Sequence, residues 1–368
     1  MLNTINLTSK KKSDFTSALG NSEATSRQNH ISEASKKRIR AIRKQVVNPD
    51  EIIQGLLAGN KTQLSKAITL IESSAQKHES KVKQIIAACL PHANQSIRIG
   101  ITGVPGVGKS TFIESFGNFL INQGKKVAVL AVDPSSSVSG GSILGDKTRM
   151  EELVKSEQAF IRPTASGDSL GGVARKTRES IILCEAAGFD VILIETVGVG
   201  QSETAVHSMT DFFLLLKLAG AGDELQGIKR GIIEMADAIL INKADGNNEK
   251  AAKHAKAEFK RALHLYPEKQ SQWTPKVKLC SALNNVGVED VWKMLSSYFE
   301  KTKSNGFFEE NRKLQNKYWL LQSINEQLKN RFYNHPKIKE ELKIQLEKIH
   351  LQETTPFEAA DYLLGLKR

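Results

Sequence analysis

"GITGVPGVGKST", residues 100–111, decides how this chain is read. Gly103 is followed by four residues and then by Gly108, Lys109 and Ser110, the spacing GxxxxGK[ST]. Such a loop works by turning backbone N–H groups inward at a helix N-terminus, where the peptide dipoles favour anions, so it needs a strand before it and a helix after it. The apolar run "IRIGITG" supplies the strand and "TFIESFGNFLI" the helix. Lys109 then reaches the β and γ phosphates of a nucleotide, and Ser110 offers a hydroxyl to Mg2+. The phosphate cradle is expected to run through Gly103, Val104, Pro105, Gly106, Val107, Gly108, Lys109, Ser110 and Thr111.

Working outward, six further short runs rich in β-branched residues alternate with helical stretches up to residue 283: "KVAVLAVD", "AFIRPT", "FDVILIET", "DFFLLLKL", "DAILINK" and "KVKLCSAL". Runs that are apolar throughout and separated by helices indicate a mainly parallel sheet covered on both faces, an α/β fold. Ligands of such sheets bind at the carboxyl edge, so the residues that end the strands carry the chemistry.

"VILIETVGVGQSE", residues 191–203, ends a strand at Glu195 and places Gly198 three positions later, where its N–H can meet a γ-phosphate. This reads as a nucleotide-sensing switch. Most P-loop hydrolases carry aspartate at the acidic position; the extra methylene of Glu195 moves its carboxylate outward, toward a metal held through water or toward a second acid. Asp133, closing "VLAVD", and Asp146, in "GSILGDKTRM", are the available acids. Carboxylates clustered at a phosphate site require a cation to offset their repulsion. The expected metal set is Ser110, Asp133, Asp146 and Glu195, and the expected catalytic set Lys109, Asp133 and Glu195.

"ILINKADG" places Asn242, Lys243 and Asp245 just past another strand. An aspartate there accepts hydrogen bonds from N1–H and the exocyclic amine of guanine, which adenine does not offer, so the implied nucleotide is GTP or GDP. In "CSAL", Ser281, Ala282 and Leu283 are expected to close over the base. No glutamine directly follows Gly198, Gln201 lies two residues further on, and no arginine is an evident finger. Unassisted hydrolysis is therefore expected to be slow, with a partner completing the site. "RPTASGDSLGGVARKT" and "LAGAGDELQGIKR" are glycine-rich loops suited to moving with nucleotide state, and Arg162, Arg175 and Lys229 are candidates for phosphate or partner contacts.

The flanks are helical and charged. "DEIIQGLLAG", "LSKAITLIES" and "VKQIIAACL" carry apolar residues at helical spacing after an Asn48-Pro49-Asp50 start signal. After residue 300 the strands stop; two helices broken at His335-Pro336 and a short helix capped by the threonine of "TPFEAADYLLGL" form an arm. The expected organisation is a disordered basic tail over 1–34, a helical segment over 35–95, a P-loop domain over 96–303 and the arm over 304–368. Residues 1–45 hold ten Lys and Arg against three acids, which is seven of the chain's twelve net positive charges. The basicity is thus an end segment poor in aromatics, which argues against a nucleic-acid partner. No apolar run approaches the ~20 residues needed to cross a membrane. Cys89, Cys184 and Cys280 form no CxxC pair, and the eight histidines form no spaced cluster. Neither a disulfide framework nor a metal other than Mg2+ is expected, and a reducing compartment fits.

"GVPGVGKST", "AVDPSS", "GGSILGDKTRM", "LGGVA", "IETVGVGQSE", "NKADG" and "CSAL", in this order, resemble the MeaB/ArgK/MMAA family of GTPases associated with methylmalonyl-CoA mutase. The resemblance runs from about residue 45 to 365, with "RPTASGDSLGG" departing from the family's usual proline-serine version of that loop. It implies a cytoplasmic homodimer joined through the helical arm, a GTPase that chaperones an adenosylcobalamin-dependent acyl-CoA mutase by gating cofactor delivery and protecting the mutase. It also implies that Asp133, Asp146 and Glu195 sit at the magnesium and switch region and that segment 218–229 is a mobile loop facing the partner. Two other readings compete. A nickel-insertion GTPase would want a Cys/His cluster, and a kinase of a transport-binding protein would want an acceptor-activating base; no motif supplies either. A GTP-binding scaffold without catalysis is a further alternative.

Overall fold

All seven expected runs form strands: β1 (Ile97–Gly103), β2 (Val127–Val132), β3 (Ala159–Pro163), β4 (Val191–Thr196), β5 (Phe212–Leu218), β6 (Ala238–Asn242) and β7 (Lys276–Leu279). They build one sheet in the order β3-β2-β4-β1-β5-β6-β7. Every neighbouring pair is parallel, so the sheet is wholly rather than mainly parallel. β7 is shorter than its sequence run: the strand ends at Leu279, and Cys280–Leu283 enters a turn. The computed structural model describes residues 48–73, 75–132, 150–163, 170–196, 202–220 and 230–366. The tail expected over 1–34 lies outside them, and from Asn48 on the chain forms one compact unit.

Burial on both faces explains why the strands read as unbroken apolar runs. In β5, Leu214 and Leu216 face the cluster built with Phe112, Phe116, Val291 and Leu295, whereas Leu215 joins Ile239, Ile241, Ala255 and Phe259 on the other side. The helices supplying the first cluster are α4 (Lys109–Asn122) and α10 (Val288–Ser304), and the second is covered by α9 (Glu249–Leu263). Between them in the chain stand α5 (Glu151–Lys155), α6 (Leu170–Ala186), α7 (Glu203–His207) and α8 (Arg230–Met235).

Three helices precede the sheet, α1 (Pro49–Leu57), α2 (Lys61–Glu72) and α3 (Glu79–Cys89), and α2 and α3 pack on α6. Asn48 starts α1 as expected, its side chain accepting from Asp50 N with Pro49 in the first turn. The arm consists of α11 (Phe307–Asn334), α12 (Pro336–His350) and α13 (Pro356–Gly365), broken where the His335-Pro336 step removes a backbone donor. Thr355 and Glu358 form a full capping box at α13.

Because all strands run the same way, their C-terminal ends share one edge. Gly103 and Asn242, the last residues of β1 and β6, and Glu195, next to last in β4, therefore arrive at the same edge.

Candidate nucleotide-binding site

β1 sits inside the sheet between β4 and β5, and its last residue begins the phosphate loop. Gly103 has φ +150°, and a Cβ there would stand 2.5 Å from Leu216 O, so only glycine fits where the loop leaves the sheet. Gly108 caps α4 at φ +91°, and a Cβ would lie 2.8 Å from Asn242 Nδ2. That bare glycine lets Asn242 close in and donate to Val107 O at 2.9 Å. Val107 itself is fully buried in the core, while Pro105, Gly106 and Thr111 face solvent and Val104 is half-buried.

Lys109 is 8% exposed, and its ammonium donates to Gly103 O at 2.8 Å and to Val104 O at 3.3 Å. Its stem is thus held inside the loop it must serve. Next to it, Ser110 Oγ donates to Glu195 Oε1 at 3.2 Å. Two neighbouring ligands of an octahedral Mg2+ with bonds of about 2.1 Å stand about 3 Å apart, so this hydroxyl and carboxylate fit that ion. Thr196 Oγ1 donates to Thr102 Oγ1 at 2.9 Å, which locks the ends of β4 and β1 together directly beside Glu195.

The residues expected to recognise the base converge as one cluster. Asn242 Oδ1 accepts from Ala282 N at 3.2 Å, so this one side chain bridges phosphate loop and base loop. Lys243 takes φ +55°, and its ammonium donates to Gly106 O at 3.1 Å. Asp245 Oδ2 accepts from Ser281 Oγ and, at 3.3 Å, from Asn284 Nδ2. Leu283 is 79% exposed, so it stands at the rim of this cluster.

Residues 64–337 match the family described as Methylmalonyl Co-A mutase-associated GTPase MeaB. The chain belongs to the MeaB family. It is 46% identical over 283 residues to "GTPase ArgK" of Escherichia coli K12, covering 77% of this chain and 86% of that protein. It is 43% identical over 325 residues to "Methylmalonic aciduria type A homolog, mitochondrial" of Mus musculus, covering 86% of this chain and 78% of that one. The solved structure of a "LAO/AO transport system kinase" is 35% identical with a TM-score of 0.70, covering 87% of this chain and 99% of the other. As a MeaB-family member the chain is a P-loop GTPase that binds guanine nucleotide.

Within this MeaB-family site the described structure brings together Lys109, Ser110, Glu195, Asn242, Lys243, Asp245, Ser281 and Ala282. Asp133, Asp146, Gly198, Gln201 and Lys229 lie outside the described residues, as does most of the 218–229 segment. Among the described residues no group of three His, Cys, Asp or Glu side chains is placed to hold a metal. Arg162 is bonded to Glu72 and Thr69 of α2, and Arg175 to Glu179 one turn along α6, so each has a partner on a helix. Sequence reasoning passed over Thr102 and Thr196, which stand inside the quoted stretches at positions given no role, and Asn284, which lies one residue past "CSAL".

Proposed function

We propose that this chain is a Mg2+-dependent GTPase, hydrolysing GTP to GDP and phosphate, that acts as a chaperone of an adenosylcobalamin-dependent acyl-CoA mutase, gating cofactor delivery and protecting the mutase. The observation that carries the chemistry is the meeting of Ser110 Oγ and Glu195 Oε1 at 3.2 Å beside the loop-held Lys109. Ser110 and Glu195 would hold Mg2+, directly or through water, with Asp133 and Asp146 completing the acidic set. Bound there, Mg2+ supplies positive charge to the phosphate oxygens. Lys109, held at the loop by Gly103 O and Val104 O, gives its ammonium to the phosphate oxygens, charged acceptors that bind it more strongly than carbonyls do. Asp245, pinned on one oxygen by Ser281 and Asn284, presents a fixed acceptor to the guanine edge.

The mutase is supported by the family description and by the name of the mouse relative. Homodimerisation through the arm is supported by Leu314, Tyr318, Leu321, Ile324 and Leu328, exposed side chains that recur every three or four residues along α11. The decisive experiment measures phosphate release with and without Mg2+ and with and without methylmalonyl-CoA mutase. Slow Mg2+-dependent release that changes when the mutase is added is the expected result. Equal affinity for GTP and ATP, or release indifferent to both metal and mutase, overturns the reading. The solved relative is named for a transport-system kinase, and transfer of the γ-phosphate to a protein acceptor in the same assay would favour that chemistry instead.

A further inference from the structure

The loop between β7 and α10 is held from three directions. Asn242 Oδ1 accepts from Ala282 N at its start, and Asp245 is bonded by Ser281 and Asn284 in its middle. At its tip, Ser115 Oγ of α4 donates to Asn285 Oδ1 at 2.5 Å. The first two anchors come from the NKxD stretch; the third comes from the phosphate helix and belongs to no motif.

Both partners suit the task. Ser115 lies six residues past Lys109, about 9 Å along the helix axis, and is 9% exposed. Asn285 has φ +56°, a region that asparagine enters more readily than most residues, and it brings the acceptor as well. Ser281 and Val286 exchange both backbone hydrogen bonds at 3.0 Å, so the loop between them is a closed turn that moves as a unit. Phosphate loop and phosphate helix are therefore each tied to the base loop, the first through Asn242, which joins Val107 O to Ala282 N, and the second through Ser115 on Asn285 at the far end. One tie leaves a pivot, whereas two fix an orientation.

Resting on the guanine-nucleotide reading above, we propose that Ser115 and Asn285 are a positioning pair that holds the base loop against the phosphate helix and so aims Asp245 at the exocyclic amine and N1–H of guanine. Without the pair the loop turns about Asn242, and Ser281 and Asn284, which orient the Asp245 carboxylate, turn with it. Lys109, at the other end of the arrangement, keeps its place. Discrimination by the base is lost while phosphate chemistry stays.

The test compares Ser115→Ala, Asn285→Gly and the double variant with the wild type, using GTP and ITP, whose base lacks the exocyclic amine. Asn285→Gly tolerates the positive φ and removes the acceptor together with the rest of the side chain. KM for GTP is expected to rise about 5-fold, the size of one neutral hydrogen bond, and the preference for GTP over ITP to fall by a similar factor. At saturating GTP, kcat should hold within about twofold, and the double variant should lose no more than either single one, because both remove the same contact. Asn285→Asp, which keeps an acceptor and tolerates the backbone, should retain the wild-type preference. Melting temperatures establish that the variants are folded. An unchanged GTP-to-ITP preference in folded single variants, or kcat falling in step with both nucleotides, overturns the proposal. A wild-type chain that binds GTP and ATP alike is a distinct result and overturns the guanine reading together with the pair built on it.

Discussion

Arg312 of the arm helix α11 grips Asp211 at the entry to β5: Nε donates to Oδ1 at 2.8 Å and Nη2 to Oδ2 at 2.7 Å. The same guanidinium donates to Asn94 O and Ser96 O at 2.8 and 2.6 Å, and Asp211 Oδ2 also accepts from Arg98 N. Arg98 in turn holds Glu185 of α6 with two bonds. Gln315 and Trp319, on the same face of α11, donate to Thr210 O and Ser208 O. The arm is therefore fastened to the segment joining α7 to β5, and α7 follows the stretch that begins at Glu195.

Removing one member of this pair leaves a buried charge short of partners. Burial by itself lowers the pKa of Arg312, but the hydrogen bond and charge of Asp211 outweigh that and hold the guanidinium above its ordinary value. Arg312→Ala should cost about 3–5 kcal/mol, a fall in melting temperature of roughly 5–7 °C. Replacing both partners by apolar residues, as in Arg312→Met with Asp211→Leu, should cost less than Arg312→Ala alone. Calorimetry of the three proteins checks this; a change below about 1 °C for Arg312→Ala would show that the pair contributes nothing.

At the nucleotide site the first expectation concerns Lys109. Its ammonium is a charged donor already seated within the phosphate loop, bonded to Gly103 and Val104. Lys109→Ala should lower kcat by about 10²- to 10³-fold, the loss seen when one preorganised donor to developing charge is deleted. Single-turnover phosphate release measures it, and a variant hydrolysing GTP at the wild-type rate would remove Lys109 from the reaction.

Ser110 and Glu195 should act as one metal-binding unit because their oxygens already meet at 3.2 Å. Ser110→Ala and Glu195→Gln should each raise the Mg2+ concentration needed for half-maximal activity by about 10-fold or more, the loss typical of a disturbed metal shell. The double variant should fall short of the sum of the two effects. Mg2+ titrations at saturating GTP provide the readout; an unchanged midpoint in Glu195→Gln would place the metal elsewhere.

The strands were legible because a wholly parallel sheet buries both faces, so Val191–Thr196 or Phe212–Leu218 reads as an apolar run without alternation. The cluster of Lys109, Asn242 and Asp245 was legible for a related reason: a parallel sheet brings its strand ends to one edge, and those ends carry short motifs. Arg312, Gln315 and Trp319 were not, because they lie more than a hundred residues from Asp211 and Ser208, and a lone arginine on a charged helix reads as a solvated one. Ser115 and Asn285 escaped for the same reason, being 170 residues apart with no fixed spacing to report their meeting. The apolar run "KVKLCSAL" is longer than β7 because Cys280 and Ala282, just past the strand, are buried as well as any strand residue would be.

The three cysteines supply a last test, in which pH decides. Cys89, Cys184 and Cys280 are free and buried. Burial pushes the Cys89 thiol up to about 11. Burial, with the negative charge of Asp245 added, pushes Cys280 up to about 12. Burial, followed by the charge of Glu185, raises Cys184 too, and burial likewise raises the phenol of Tyr298. At pH 8 the folded chain holds almost no thiolate, so a disulfide reagent should label it only as it unfolds and should then react with all three thiols. The linkage has a definite sign. Each folded-state pKa lies above the unfolded one, so the folded chain keeps protons that the unfolded chain releases above about pH 9, and stability falls with rising pH. The stabilisation is complete below that point and drains away as pH climbs toward about 11 and 12, the values at Cys89 and Cys280. Urea midpoints measured at pH 8 and 10.5 should show the loss, and Cys280→Ala should make it shallower. Rapid labelling of the native chain at pH 8, or midpoints that do not fall, would mean that these thiols are not sealed in the core.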